Sequence, residues 1–229
     1  MSEEEIDVFQ EAKQMSDELR ESLPSGFDIA DVSPTAKIPF KASSWEGALL
    51  HRASVLADNA CEAYESDEFV PSCILARSLM ETAGMIFWLD RRVAAVIESG
   101  ELKDINTFLM RGSVGQREGL DGEGDKFEAL SALTGIDHTA EEYDGFREMY
   151  DGLSEFAHPN WSGTMGAYGY NDKENMSVKF GRDIRDTPWH FIPAPIAVSL
   201  LVVREKRRAF NDNFRDFVRI CEDDIQDNT

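Results

Sequence analysis

Two stretches of this chain set ionisable side chains where they could do chemistry. In Ser154-Glu155-Phe156-Ala157-His158-Pro159-Asn160-Trp161-Ser162-Gly163, a helical pattern carries a histidine into its last turn and is then stopped by proline. The negative end of a helix favours a protonated imidazole, which suits His158 to a general acid or an anion binder. The alternative is a capping histidine whose ring seals the turn with Asn160 and Trp161. The second stretch is Arg77-Ser78-Leu79-Met80-Glu81, a charged pair one helical turn apart on a stripe of core-type residues, Val70, Ile74, Gly84 and Trp88. Either Arg77 holds an anion while Glu81 orients it or accepts a proton, or the two pair with each other and fix helix register. Charges in such a place need partners, so the spacing predicts that Arg77, Glu81 and His158 converge in one polar cluster.

Other side chains supplement these. On the helix before the histidine, Tyr143, Phe146, Tyr150, Leu153 and Ala157 make the apolar stripe. Arg147, Ser154 and His158 line one flank, and Glu155 falls nearly opposite the stripe. Glu155 and His158 form a Glu-x-x-His step of the kind that ligates di-metal centres in helical bundles. That design needs a second copy, and His51, His138 and His190 have no glutamate three residues before them. No bound metal and no cofactor are therefore expected. Ser154 lacks the glycines of a nucleophile elbow. Cys61, Cys73 and Cys221 are widely spaced and contain no Cys-x-x-Cys pair, so they read as buried free thiols.

The elements that must position these groups are helices. A polar helix is expected over Glu4 to Ser22, then a wrapping loop from Leu23 to Ala42 that carries three prolines. Ser43 and Glu46 form a capping-box pattern, which predicts a helix from Ser43 to Glu65. Pro71 suits the first turn of a helix with its body over Cys73 to Ile97, and Ala83 to Leu89 are apolar on every side, as in a central helix. Shorter helices are expected near Glu101 to Met110 and Lys126 to Leu133, and a longer one over Ala140 to His158. Gly112, Gly115, Gly119, Gly122 and Gly124 form a loose connection without the Gly-Lys-Ser/Thr ending of a phosphate loop. Thr164 to Tyr170, the turn Asn171 to Asn175, and Met176 to Phe180 alternate like the arms of a hairpin. A final helix runs from Pro195 to Glu222. The sum is an all-α antiparallel helical bundle with a small inserted β-hairpin at about 164–181, residues 1–42 forming an N-terminal helix and wrapping loop on a bundle of residues 43–229.

The 229 residues carry 23 basic and 44 acidic side chains, a formal charge of -21, which opposes nonspecific coating of nucleic acid. Such acidity fits a salt-adapted cytoplasm, a DNA-mimicking inhibitor or a merely acidic proteome. Any RNA contact must use a local patch, and the last helix offers one: Arg204, Arg208, Arg215 and Arg219 align in a ridge apart from its apolar face. Phosphate contact, an acidic protein partner or pairing with surplus carboxylates would each explain it. The acidic start Met1-Ser2-Glu3-Glu4-Glu5 is unlike a signal peptide, and Ile192 to Val203 is too short to span a bilayer. A cytoplasmic protein without membrane contact is expected.

The Arg77-x-x-x-Glu81 helix, followed far downstream by Ser154-Glu155-Phe156-Ala157-His158-Pro159-Asn160, resembles the HEPN-like helical domains of prokaryotes over roughly Ser43 to Asn160. That resemblance implies a homodimer with an RNA-associated defence or stress role, and a metal-independent ribonuclease activity in many members. It makes His158 and Arg77 catalytic, with Glu81 or Glu155 orienting them and Arg147, Ser154 and Asn160 in support. The chain departs from the family's arginine and histidine on one helix five or six positions apart, since Arg147 lies eleven residues before His158. A noncatalytic interaction or scaffold protein is the alternative.

Overall fold

The computed structural model describes residues 3–116, 127–182 and 189–227. Eight α-helices among these residues are α1 (Glu3–Glu21), α2 (Ile29–Val32), α3 (Lys37–Glu65), α4 (Phe69–Ser99), α5 (Ile105–Ser113), α6 (Ala132–Ala140), α7 (Phe146–Ala157) and α8 (Pro193–Asp227). A π-turn at Ser162–Gly166 leads into strands β1 (Gly169–Asp172) and β2 (Ser177–Phe180), and a 3₁₀ turn at Trp189–Phe191 precedes α8. The two strands pair antiparallel, Gly169 opposite Phe180 and Asp172 opposite Ser177. The all-α bundle with its inserted hairpin is thus the observed architecture.

Helix α4 is the hub, packing against α3, α6, α7 and α8. Its sequence requires this, because Ala83, Gly84, Ile86, Phe87 and Leu89 are all buried and no single neighbour could cover every side. Burying a side chain such as Phe87, Leu79 or Met80 contributes about 1.5–3 kcal/mol each. Phe108 of α5 sits edge-on to both Trp45 of α3 and Trp88 of α4, with ring centroids 5.5 and 5.1 Å away. Helix α6 crosses α4 at two glycines: a Cβ on Gly84 would stand 2.9 Å from the Gly135 carbonyl carbon, so the crossing requires bare backbone on both sides.

Several boundaries differ from expectation for identifiable reasons. Helix α3 starts at Lys37, six residues before Ser43. Pro39 lies in its first turn, where the missing amide costs nothing. The amides of Thr35 and Ala36 are taken by the Glu222 carboxylate of α8, 3.1 and 3.0 Å away, and the hydroxyls of Ser33 and Thr35 donate to the same group. The segment that leads into the helix is therefore anchored from the far end of the chain, and these four hydrogen bonds hold the Glu222 carboxyl down at about 2. The helix expected over Lys126 to Leu133 begins only at Ala132, residue 126 lying outside the described part. The helix expected from Ala140 to His158 begins later, at Phe146: α6 ends at Ala140, and Gly145, at φ 79°, turns the chain into α7. Thr164 lies in the π-turn, so the first hairpin arm is shorter than predicted. Gly112 closes α5 and Gly115 follows it, while Gly119, Gly122 and Gly124 lie outside the described residues.

Helix α1 packs against α3 and α8, burying Phe9, Ala12 and Leu19 in the common core. The three cysteines are buried and free, and burial pushes each thiol up to about 12. Among the described residues no helix is long and apolar enough to cross a membrane.

Candidate functional site

Helices α4 and α7 run antiparallel. Phe69 meets Phe156 with ring centroids 4.9 Å apart, Arg77 meets Tyr150, and Phe87 meets Tyr143, just before α7, at 6.3 Å, so the chain order along the two helices is opposed. Between these contacts sits Tyr150, 4 % exposed, facing Arg77 and Glu81. Its hydroxyl accepts a hydrogen bond from Arg77 Nη2 at 2.9 Å and donates one to Glu81 Oε1 at 2.9 Å. Arg77 Nη2 lies 3.2 Å from the same carboxylate oxygen, and the guanidinium carbon stands 5.2 Å from the Tyr150 ring centroid. The three side chains close a triangle in which donors and acceptors match. Arg77 Nε is buried without a hydrogen-bond partner, so the closure is complete at one end of the guanidinium only.

The pairing of Arg77 with Glu81 follows from their spacing. Tyr150 is the residue that sequence reasoning missed. It occupies a core position on α7, and its ring explains the burial, but a buried phenol must also find a polar partner. That requirement was the available signal, since Arg77 and Glu81 were the charges in need of one.

His158 lies elsewhere. Helix α7 ends at Ala157, and His158 is the extended residue after it, φ -86° and ψ 147°, a conformation the following Pro159 favours. The expected place in the last helical turn is thus off by one residue. At a rise of about 1.5 Å per residue, His158 stands about 12 Å beyond Tyr150 along the helix, at the Phe69 end of α4. It is exposed, its amide bonds the Ser154 carbonyl at 3.2 Å, and no hydrogen bond or ion pair joins it to Arg77 or Glu81. The structure brings Arg77 and Glu81 together and leaves His158 outside.

The supporting residues are committed to local structure. Glu155 accepts from Asn160 Nδ2 at 2.8 Å and Ser162 Oγ at 3.1 Å, and Asn160 Oδ1 accepts the Gly163 amide at 3.0 Å, which builds the turn after α7. Ser154 Oγ donates to the Tyr150 carbonyl at 2.8 Å. Arg147 pairs with Asp137 and with Asp151, the latter at 3.1 Å. Among the described residues no three His, Cys, Asp or Glu side chains gather in a way that could hold a metal ion. On α8 the ridge is exposed. Arg208 lies 3.8 Å from Asp212 and Arg219 3.0 Å from Asp216, while Arg204 and Arg215 form no ion pair with a described residue.

A second group of ionisable side chains lies deeper. Glu46 of α3 and Asp90 of α4 are 8 and 7 % exposed, and each has one carboxyl oxygen without a hydrogen-bond partner. Burial pushes the Glu46 carboxyl up to about 7, opposed by Arg207 and reinforced by Asp90. Burial likewise raises Asp90 to about 6, opposed by Lys206 and reinforced by Glu142. Lys206 is itself held by Glu142 at 2.8 Å and lies 4.5 Å from the Phe87 ring centroid. No family model, curated protein or solved structure matches this chain.

Proposed function

We propose that this chain is a noncatalytic helical interaction protein of HEPN-like type, whose polar cluster fastens two helices instead of turning over a substrate. The observation that carries this reading is the closed triangle of Arg77, Tyr150 and Glu81. The Arg77 guanidinium is engaged at Nη2 by a phenol and a carboxylate and lies against a ring, all within the α4–α7 contact, and a histidine about 12 Å along the helix is too far to share a proton with it. The structural partner of Arg77 and Glu81 in this reading is Tyr150, in place of His158.

The competing reading is an RNA-associated prokaryotic defence or stress protein that cuts RNA without metal. Its support is the exposed ridge of Arg204, Arg208, Arg215 and Arg219, two members of which make no ion pair with a described residue. The readings separate in one assay, incubation of purified protein with single-stranded RNA at moderate salt. The interaction reading expects no cleavage and no difference between wild type and His158→Ala. Cleavage by wild type that disappears in both His158→Ala and Arg77→Ala, with helical circular dichroism retained, would overturn it. If RNA is bound without being cut, Arg208→Ala with Arg215→Ala should weaken binding across sequences and flatten its salt dependence.

A further inference from the structure

An open trough follows the seam between α1 and α8. Glu11, Met15 and Glu18 line it with Ala197, Leu201 and Arg204, and further along Leu19 and Ser22 line it with Val203 and Arg207, so the two helices advance side by side in one direction. The wider part encloses about 450 Å³ and the narrower about 240 Å³, and Met15, Glu18 and Arg204 belong to both. A concavity of this size holds a small organic molecule. Its floor is apolar. Met15, Ala197 and Val198 pack on the core yet stay half-buried, and the half-buried Leu201 lies beside them.

Charge identifies the occupant. Arg207 stands at the narrow end, where its two Nη atoms donate to Ser22 Oγ at 2.7 Å and to the Ser22 carbonyl at 2.6 Å. Both partners are neutral, so they fix the guanidinium without cancelling its charge, and each Nη keeps a second N–H. The buried Glu46 nearby holds its proton up to about 7 and leaves that charge standing below this pH. Arg204, one turn earlier on α8, is exposed, and neither arginine forms an ion pair with a described residue. The acid that lines this end is Glu18, which accepts from Gln14 Nε2 at 2.8 Å. Glu11 lines only the wide end, about 16 Å from Ser22 at a rise of about 1.5 Å per residue, which is beyond the ~8 Å screening length of physiological salt. In a chain with 44 acidic and 23 basic side chains, two guanidinia against one carboxylate at the end of an apolar trough select for an anion with an apolar tail.

We propose that the trough binds a single-chain amphiphilic anion, its aliphatic chain along Met15, Ala197, Val198 and Leu201 and its head between Arg204 and Arg207. A carboxylate and a phosphate monoester share the required head chemistry. The inference uses no residue of the Arg77 cluster and stands whether or not the chain cuts RNA.

Isothermal titration calorimetry with dodecanoate and with dodecyl phosphate, each below its micelle concentration, tests it. At least one of the two should bind once per chain, and the tighter identifies the head. Decanoate, two methylenes shorter than dodecanoate, should bind about tenfold more weakly than it. Dodecanol, which brings no charge to the guanidinia, should be weaker than the better anion by about tenfold or more. Arg204→Glu should weaken the anion by about tenfold or more and leave dodecanol unchanged. Ala197→Trp fills the trough and should abolish binding of both with helical circular dichroism unchanged; if that variant loses its helical signal, the Arg204→Glu comparison decides. Failure of wild type to bind either anion, equal affinity for dodecanol or for dodecyltrimethylammonium, or an anion affinity untouched by Arg204→Glu would overturn the proposal. Self-association of wild type that a folded Ala197→Trp abolishes would assign the trough to a second copy and overturn it as well.

Discussion

At the scale of the residue, the molecule has two polar groupings at its core, one half-buried and paired, the other buried and unpaired. Tyr150 joins Arg77 and Glu81 through its hydroxyl, leaving only Arg77 Nε buried and unpaired, and a hydrogen bond to a charged group contributes about 1.5–3 kcal/mol. Glu46 and Asp90 each leave an oxygen unpaired and retain protons that the unfolded chain would release. A carboxyl raised from its ordinary 4.5 to about 7 stabilises the fold fully below 4.5, and that contribution is lost as pH rises through about 7. For Glu46 the difference is about 3 kcal/mol at 1.36 kcal/mol per unit. Urea unfolding on either side of this window should therefore show stability falling as pH rises, and Glu46→Gln should flatten the dependence. An unchanged slope in Glu46→Gln would show that the carboxyl is not buried as described. Arg77 and Glu81 were legible as interruptions of an apolar stripe. Tyr150 was not read as polar because its ring fits that stripe, and Asp90 ends an apolar run without any local sign of its neighbours.

Elements were legible where the pattern is local and strong. The all-round apolar segment of α4 identified the hub, and the prolines and turn residues located the hairpin between α7 and α8. Misplaced boundaries trace to longer-range causes. Ser43 and Glu46 resemble a capping box, yet Glu46 turns inward and the entry to α3 is anchored by Glu222 from 186 positions away, which no local window contains. Glu222→Gln should cost about 1–2 kcal/mol, as the loss of charge-assisted bonds predicts. The carboxyl is held at about 2, so this contribution is present above the ordinary 4.5 and is lost as pH falls through about 2. Thermal unfolding at neutral pH checks the first statement, and equal melting temperatures would contradict it. Gly135→Ala should destabilise by more than an exposed Gly→Ala change because its Cβ would stand 2.9 Å from Gly84 backbone. A neutral or stabilising result would show that α6 can move off α4.

At the scale of the whole molecule, the surplus of acids governs behaviour. Self-repulsion within a chain of net charge -21 weakens the compact state and is screened by salt, so the melting temperature should rise with added sodium chloride. Insensitivity to salt would mean that the surface ion pairs already balance the field. Bundle class and chain order could be read from sequence because helical periodicity records them. Convergence of His158 with Arg77 could not, because the antiparallel run of α7 on α4 carries the histidine away from the arginine by two turns. The central claim is that Arg77, Tyr150 and Glu81 act as a fastener between α4 and α7. Its most direct test is a double-mutant cycle of Tyr150→Phe and Glu81→Gln, read by urea unfolding. The predicted result is that each change destabilises and the pair couples by about 1–2 kcal/mol. Strictly additive effects, or single changes without cost to stability, would contradict it.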